Sequence, residues 1–256
     1  MTDFLPFAES LARSAGEVLR QGIGRAEQVR SKSAAIDLVT EYDHKSEEVI
    51  LRAIRESFPG HAILAEESGA SPGDEYCWLV DPLDGTTNFA HAIPFFSVSI
   101  ALLHHGRLLT GVVNDPMRDE LFSAQAGQGA SLNGRSIEVS DTAELDISLL
   151  VTGFPYDIWT AQENNLDHFA AFSLRTQGVR RLGSAALDLA YVAAGRLDGF
   201  WELKLNPWDV AAGALLVQEA GGRVTNVHGG LDFLSDTSIL AANPALHHLM
   251  LQILQG

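Results

Sequence analysis

The chain of 256 residues has a single cysteine, Cys77, so no intrachain disulfide can form and redox catalysis by a cysteine pair is excluded. Lying in the apolar run Tyr76-Cys77-Trp78-Leu79-Val80, that thiol is expected to be buried and inert. Basic residues are also scarce: 17 Lys+Arg stand against 33 Asp+Glu, a formal charge of −16. Arg180-Arg181 is only a pair, and without a concentrated basic patch neither nucleic acid nor an anionic membrane is an expected partner. No apolar run approaches the roughly 20 residues of a membrane-spanning helix. A basic signal-peptide n-region is missing too; instead Phe4, Phe7, Ala8, Leu11, Ala12, Ala15, Val18 and Leu19 follow helical spacing, and a cytoplasmic protein is expected. There is no internal repeat, low-complexity tract or long linker.

An acidic shell repels phosphate esters as well as nucleic acids. A site for such an ester therefore needs local metal ions to reverse the sign of the field. The stretch Asp81-Pro82-Leu83-Asp84-Gly85-Thr86-Thr87-Asn88-Phe89 is suited to that task. Two carboxylates three positions apart follow the apolar strand that starts at Tyr76, at the end where open α/β sheets place their chemistry. Mg²⁺ takes one or two carboxylates plus phosphate oxygens and water. Thr86-Thr87-Asn88 can begin a helical turn whose first amides, at Gly85 and Thr86, face a phosphate. Asp-Pro and Asp-Gly are also ordinary turn dipeptides, but a turn needs neither the second carboxylate nor the paired threonines.

Along the rest of the chain, Gly22 and Gly24 end the first helix, and a second is predicted from Thr40 to Ser57 with Ile50, Ala53 and Ile54 inward. Lys32-Ser33 and Ile36 to Thr40 read as a connecting loop or hairpin. His61 to Ala65 and Tyr76 to Val80 read as short strands, each ending in acid, Glu66-Glu67 and Asp81, which neighbouring strands would set side by side. Phe95 to Val139 has the pattern of antiparallel hairpins, and Gly127-Gln128-Gly129-Ala130 with Asn133-Gly134 reads as turns, not a dinucleotide fingerprint. After the polar, acidic Ser140 to Asp146, strands alternate with helices over Asn164–Phe172, Ala185–Ala194 and Val210–Ala220. Two intimately packed lobes are expected, 1–143 and 144–256. Asp209, directly before an apolar helical run, has the N-cap as its default role. His104-His105 and His247-His248 fit no metal-binding spacing and are expected at the surface.

Glu66-Glu67-Ser68, the 81–89 nonapeptide and Trp208-Asp209-Val210-Ala211-Ala212-Gly213 together resemble the inositol monophosphatase family of Mg²⁺-dependent, lithium-sensitive phosphatases. Further matching segments are Asp37-Leu38-Val39-Thr40 with Asp43, Thr152-Gly153-Phe154-Pro155, Gly183-Ser184-Ala185-Ala186 and Trp201-Glu202, so the likeness runs over nearly the whole chain. The resemblance implies a layered αβαβα sandwich (α+β/α/β) and a homodimer. It further implies a first Mg²⁺ on Glu66, Asp81 and the Leu83 carbonyl, a second on Asp81, Asp84 and Asp209, and a weaker third near Glu66. By the same resemblance Glu66 and Thr86 would orient and help deprotonate the attacking water, with Asp43 behind the threonine. Gly85 and Thr86 would hold the phosphate, while Asp84, Gly183, Ser184, Ala185, Glu202 and Asp209 would meet the substrate.

The implied reaction is hydrolysis of a small phosphate monoester, with inositol 1-phosphate the leading substrate. Histidinol phosphate, fructose 1,6-bisphosphate and a nucleotide phosphate remain open, because fold and metal site are shared and selectivity lies in ring-facing residues. Lys204 in Lys204-Leu205-Asn206-Pro207 reads as a solvated loop lysine, with contact to a second phosphate as the alternative. From another class, a regulatory binding protein that keeps the fold also stays open.

Overall fold

A computed structural model describes residues 4–32 and 34–256, and every structural statement below concerns those residues; Ser33 lies outside them. The apolar stripe at the amino terminus forms α1 (Leu5–Gly22), followed by β1 (Val29–Ser31), β2 (Leu38–Thr40) and α2 (Glu41–Ser57). Strands β1 and β2 make the expected hairpin. Thr40 caps α2: its hydroxyl accepts from the Tyr42 amide at 3.1 Å, and the Asp43 carboxylate reaches back to the Thr40 amide at 2.8 Å. Ile50 and Ile54 are buried as the spacing predicts, and Ala53 is half-buried.

Next come β3 (Ala62–Ala65), β4 (Gly69–Ser71), β5 (Tyr76–Asp84), α3 (Thr86–Ala90), β6 (Ser97–His104), β7 (Arg107–Asp115), β8 (Glu120–Gln125), β9 (Ala130–Leu132) and β10 (Arg135–Ile137). They build an eight-stranded sheet in the order β10-β9-β8-β7-β6-β5-β3-β4. The hairpins are antiparallel, and Asn133 and Gly134, both at positive φ, form the tight turn between β9 and β10. Strand β3 instead runs parallel to β5, pairing Ala65 with Val80. That register sets Glu66 next to Asp81.

The remainder comprises β11 (Leu149–Thr152), α4 (Leu166–Ser173), β12 (Gly178–Arg180), α5 (Ala185–Ala193), β13 (Gly199–Leu203), α6 (Pro207–Glu219), β14 (Arg223–Thr225), α7 (Phe233–Asp236), β15 (Ser238–Ala242) and α8 (Pro244–Leu254). Its five-stranded sheet has the order β12-β11-β13-β15-β14, parallel across the first three strands and antiparallel beyond.

Period-two alternation along the strands assigns their side chains to layers. Trp78, Val80, Val98, Ile100 and Leu102 pack one face of the large sheet on α1 and α2. Leu79, Ala101, Val113 and Phe122 point the other way, onto α5 and α6. Phe200, Ile239 and Ala241 of the small sheet meet those same helices from beyond, while Trp201, Leu240 and Ala242 face Phe172 of α4 and Leu246 and Met250 of α8. The order of layers is αβαβα. Enclosure between two sheets explains why α6 has no polar stripe: Val210 to Val217 are all buried.

Three expectations change. Helix α6 begins at Pro207, where the proline's missing amide costs nothing, so Asn206 is the N-cap and Asp209 the third helical residue, its carboxylate accepting from the Asn206 amide at 2.7 Å. His247 is fully buried and within 3.0 Å of the Thr225 hydroxyl, because the inner face of α8 carries it beneath the small sheet. Cys77 is half-buried, and burial pushes its thiol pKa up.

The spacing of α5 and α6 depends on Gly213: a Cβ there would lie 2.5 Å from the Leu189 Cβ. Gly213→Val is expected to cost about 3 kcal/mol through overpacking of the central layer, read as a lowered urea midpoint at unchanged m-value. An unchanged midpoint would show that this layer tolerates added volume.

Candidate active site

Glu66 follows β3, Asp81 and Asp84 lie in β5, and Asp209 starts α6. The parallel β3/β5 pairing fixes the first two; the Glu66 amide itself donates to the Val80 carbonyl at 3.1 Å. Between Asp81 and Asp84 the β5/β6 ladder breaks register, which turns both carboxylates to the cleft. Gly85 then takes φ +98°, a conformation open to glycine, and a Cβ there would press on the Gly183 and Phe95 carbonyls at 3.1 and 3.2 Å. That turn starts α3, with Thr86 as its first residue.

The Thr86 hydroxyl lies 2.9 Å from an Asp43 carboxylate oxygen and 3.0 Å from the Leu83 carbonyl. Asp43 is fully buried, and its other oxygen accepts from the Thr40 amide and hydroxyl. Asp84 is held by the start of α5, accepting from the Ser184 hydroxyl at 2.5 Å and the Ala185 and Ala186 amides at 3.1 and 2.8 Å. The Asn88 side-chain amide donates to the Phe95 and Leu182 carbonyls, both at 2.8 Å, and so ties the nonapeptide to the turn before Gly183. Glu202 leaves β13 buried against Gly153, whose missing side chain makes the room: a Cβ would fall 2.1 Å from the carboxylate.

Glu66, Asp81, Leu83, Asp84, Gly85, Thr86, Gly183, Ser184, Ala185, Glu202 and Asp209 all line one cleft. Asp43 stands behind it, in contact through Thr86. Burial dominates the electrostatics. It pushes Glu66 up to about 7, against the pull of Lys32. Asp81 and Asp209 are driven well above the usual carboxylate range by burial, Glu66 being the foremost neighbouring charge. Asp84 is raised by burial despite its hydrogen bonds, and Glu202 is pushed up to about 8 by burial.

The family model of the inositol monophosphatase family matches residues 1–256. The chain belongs to that family. It is 49% identical over 253 residues to an inositol-1-monophosphatase of Synechocystis sp., spanning 98% of this chain and 88% of that protein. It is 47% identical over 264 residues to Nus factor SuhB of Pseudomonas aeruginosa, spanning 100% and 97%. The solved inositol monophosphatase of Anabaena (Nostoc) sp. superposes with a TM-score of 0.90 at 48% identity, covering 98% of this chain and 95% of that one. The Thermotoga maritima IMPase gives a TM-score of 0.90 at 37% identity, covering 98% and 96%. Family membership supports phosphatase activity, and the family is generally Mg²⁺-dependent.

Several cleft residues carry no sequence-level expectation. Lys32, on the loop after β1, bridges Glu66 at 2.8 Å and Glu67; nothing local announces a contact across 34 residues. Asp188 and Arg181 also line the cleft. The spacing of Asp188, four residues after Ser184 on a helix that starts at the site, was the one available signal. Lys204 is an exposed loop lysine at the cleft rim, as expected, and pairs there with Asp157 at 2.6 Å. Away from the cleft, Glu75, His104 and His105 gather three ligand atoms within 4.8 Å of one another, which the bare His-His spacing does not reveal.

Glu66 and Glu202 hold protons more tightly folded than at their ordinary value of 4.5. Their stabilising contribution is therefore complete below that value and lost as pH rises through about 7 and about 8. In chelator, the melting temperature is expected to fall from pH 5 to 8.5; added Mg²⁺ should restore it most at the upper end, and Glu202→Gln should flatten the last part. A level profile in chelator would remove the self-repelling cluster from the account.

Proposed function

We propose that the protein hydrolyses inositol 1-phosphate or a closely related polyol phosphate to the free alcohol and phosphate, with Mg²⁺ as cofactor. The observation that carries this reading is one cleft lined by Glu66, Asp81, Asp84, Asp209 and Glu202. The donor set fits the ion. It is all oxygen, it repels itself when ionised, and the Lys32 ammonium already leans on Glu66. Two ions would be held by Glu66, Asp81, the Leu83 carbonyl, Asp84 and Asp209, and a weaker third near Glu66. When bound, Mg²⁺ supplies charge neutralisation and acidifies a coordinated water.

The chain's own groups then have distinct tasks. Thr86 donates its hydroxyl proton to Asp43, so its lone pairs face the cleft and accept a hydrogen bond from the attacking water, with Glu66 as the second acceptor. The water passes a proton to Glu66 as its oxygen bonds to phosphorus, the ester P–O bond breaks, and the ester oxygen takes a proton from a second water in the cleft as it leaves. The amides of Gly85 and Thr86 hold phosphate oxygens. Glu202 accepts hydrogen bonds from hydroxyls of the leaving group, assisted by Asp84, Gly183, Ser184, Ala185 and Asp209. Two lobes, 1–143 and 144–256, a homodimeric assembly and a cytoplasmic location complete this reading; no helix among the described residues is long and apolar enough to cross a membrane.

A second reading adds partner binding to hydrolysis, since relatives at 44 to 47% identity are named Nus factor SuhB. Co-purification compared between wild type and Asp84→Asn tests whether a partner senses the cleft.

Phosphate release from inositol 1-phosphate, histidinol phosphate, fructose 1,6-bisphosphate and adenosine 3′,5′-bisphosphate, with and without chelator, should favour the first and vanish without metal. Preference for another ester moves the substrate and keeps the chemistry. Asp84→Asn should abolish turnover yet leave the protein folded in chelator, because removal of one buried charge offsets the lost acceptor for the start of α5. Thr86→Ala should lower kcat by about 10²-fold with KM nearly unchanged; a defect in KM alone would confine Thr86 to binding phosphate.

A further inference from the structure

Asp188 has no task in the mechanism above, yet it faces the cleft from the first turns of α5. It is 1% exposed, and its Oδ1 is buried without any hydrogen-bond partner. A buried carboxylate oxygen without a hydrogen bond costs stability, so its place at the wall of a binding cleft points to a ligand that completes it. Two other groups stand with it. Glu202, from β13, lines the same wall, and Arg181, following β12, is the cation whose charge both acids feel.

We propose that Asp188, with Glu202 and Arg181, forms a hydroxyl-binding subsite of the cleft, in which Asp188 accepts a hydrogen bond from a hydroxyl of a polyol leaving group. The assignment rests on the reading of the substrate as a polyol phosphate and deepens it. Acceptors at Asp188 and Glu202 match the hydroxyl hydrogens of neighbouring ring positions, and the Arg181 guanidinium donates to a hydroxyl oxygen. A polar group buried in this way discriminates strongly, because a ligand that lacks the matching hydroxyl leaves it unpaired. Asp188 is thus a specificity-determining residue that bears on the alcohol and not on the reacting phosphorus.

The test is the ratio of kcat/KM for inositol 1-phosphate to that for p-nitrophenyl phosphate, which carries no alcohol hydroxyl, measured with Mg²⁺ for wild type, Asp188→Asn and Asp188→Ala. The ratio is expected to fall about tenfold in Asp188→Ala through KM for the cyclitol ester, the effect of one hydrogen bond. Asp188→Asn, which keeps one acceptor oxygen, should fall less. Neither variant is expected to melt far below wild type, since Oδ1 has no hydrogen bond to lose. An unchanged ratio overturns the subsite, as does an equal loss on both substrates, which would mark Asp188 as purely structural. A ratio that falls only for histidinol phosphate overturns the polyol class. Wild-type preference is read separately: if another polyol phosphate replaces inositol 1-phosphate, the substrate moves to that ester and the subsite is judged on it. If no polyol ester is preferred to p-nitrophenyl phosphate, both fail.

Discussion

Mutual repulsion among carboxylates that folding forces together is the constraint on which this structure turns. Glu66, Asp81, Asp84 and Asp209 come from the end of β3, the irregular end of β5 and the first turn of α6, and they meet where water is largely excluded. Burial raises the pKa of all four. Such a cluster survives only because the rest of the protein supplies the opposing free energy, and cations relieve it. Lys32, reaching across to Glu66 and Glu67, is the relief built into the chain itself.

That opposing free energy comes from the layers. The helices α5 and α6 lie between two sheets and are apolar around their circumference, which fixes the separation of the sheets. The same helices deliver the chemistry: α5 holds Asp84 through Ser184 and the Ala185 and Ala186 amides, and α6 presents Asp209. Packing and site are therefore not separable. A change in helix spacing shifts the carboxylates relative to Glu66 and Asp81, which belong to the large sheet.

Much of the fold was legible because its local signals agree with its tertiary demands. The stripe of α1, the capped start of α2 and the hairpins from Ser97 to Ile137 each show a period or turn chemistry that one layer then uses. The pieces that escaped were short or governed by distant contacts: β4, β12 and α7 have three or four residues and no periodicity to read. The start of α6 was misplaced because Asn206 and Asp209 are both good cap residues, and only the backbone path out of β13 selects between them. His247 looked like half of a surface pair until α8 folded it under the small sheet.

The sequence by itself determined the chemistry on offer: an all-oxygen donor set in Asp81 to Asp84, the glycine that lets the chain turn at 85, and the alternation that sorts side chains between layers. Those properties depend on neighbours within a few residues. Tertiary structure alone decided that Asp43 backs Thr86, that Lys32 reaches Glu66, that Glu202 rests on Gly153 and that Asp188 buries its Oδ1 without a hydrogen bond. Each of these joins groups far apart in the chain, and burial, which sets both the pKa values and the cost of an unpaired polar atom, exists only once the layers have closed.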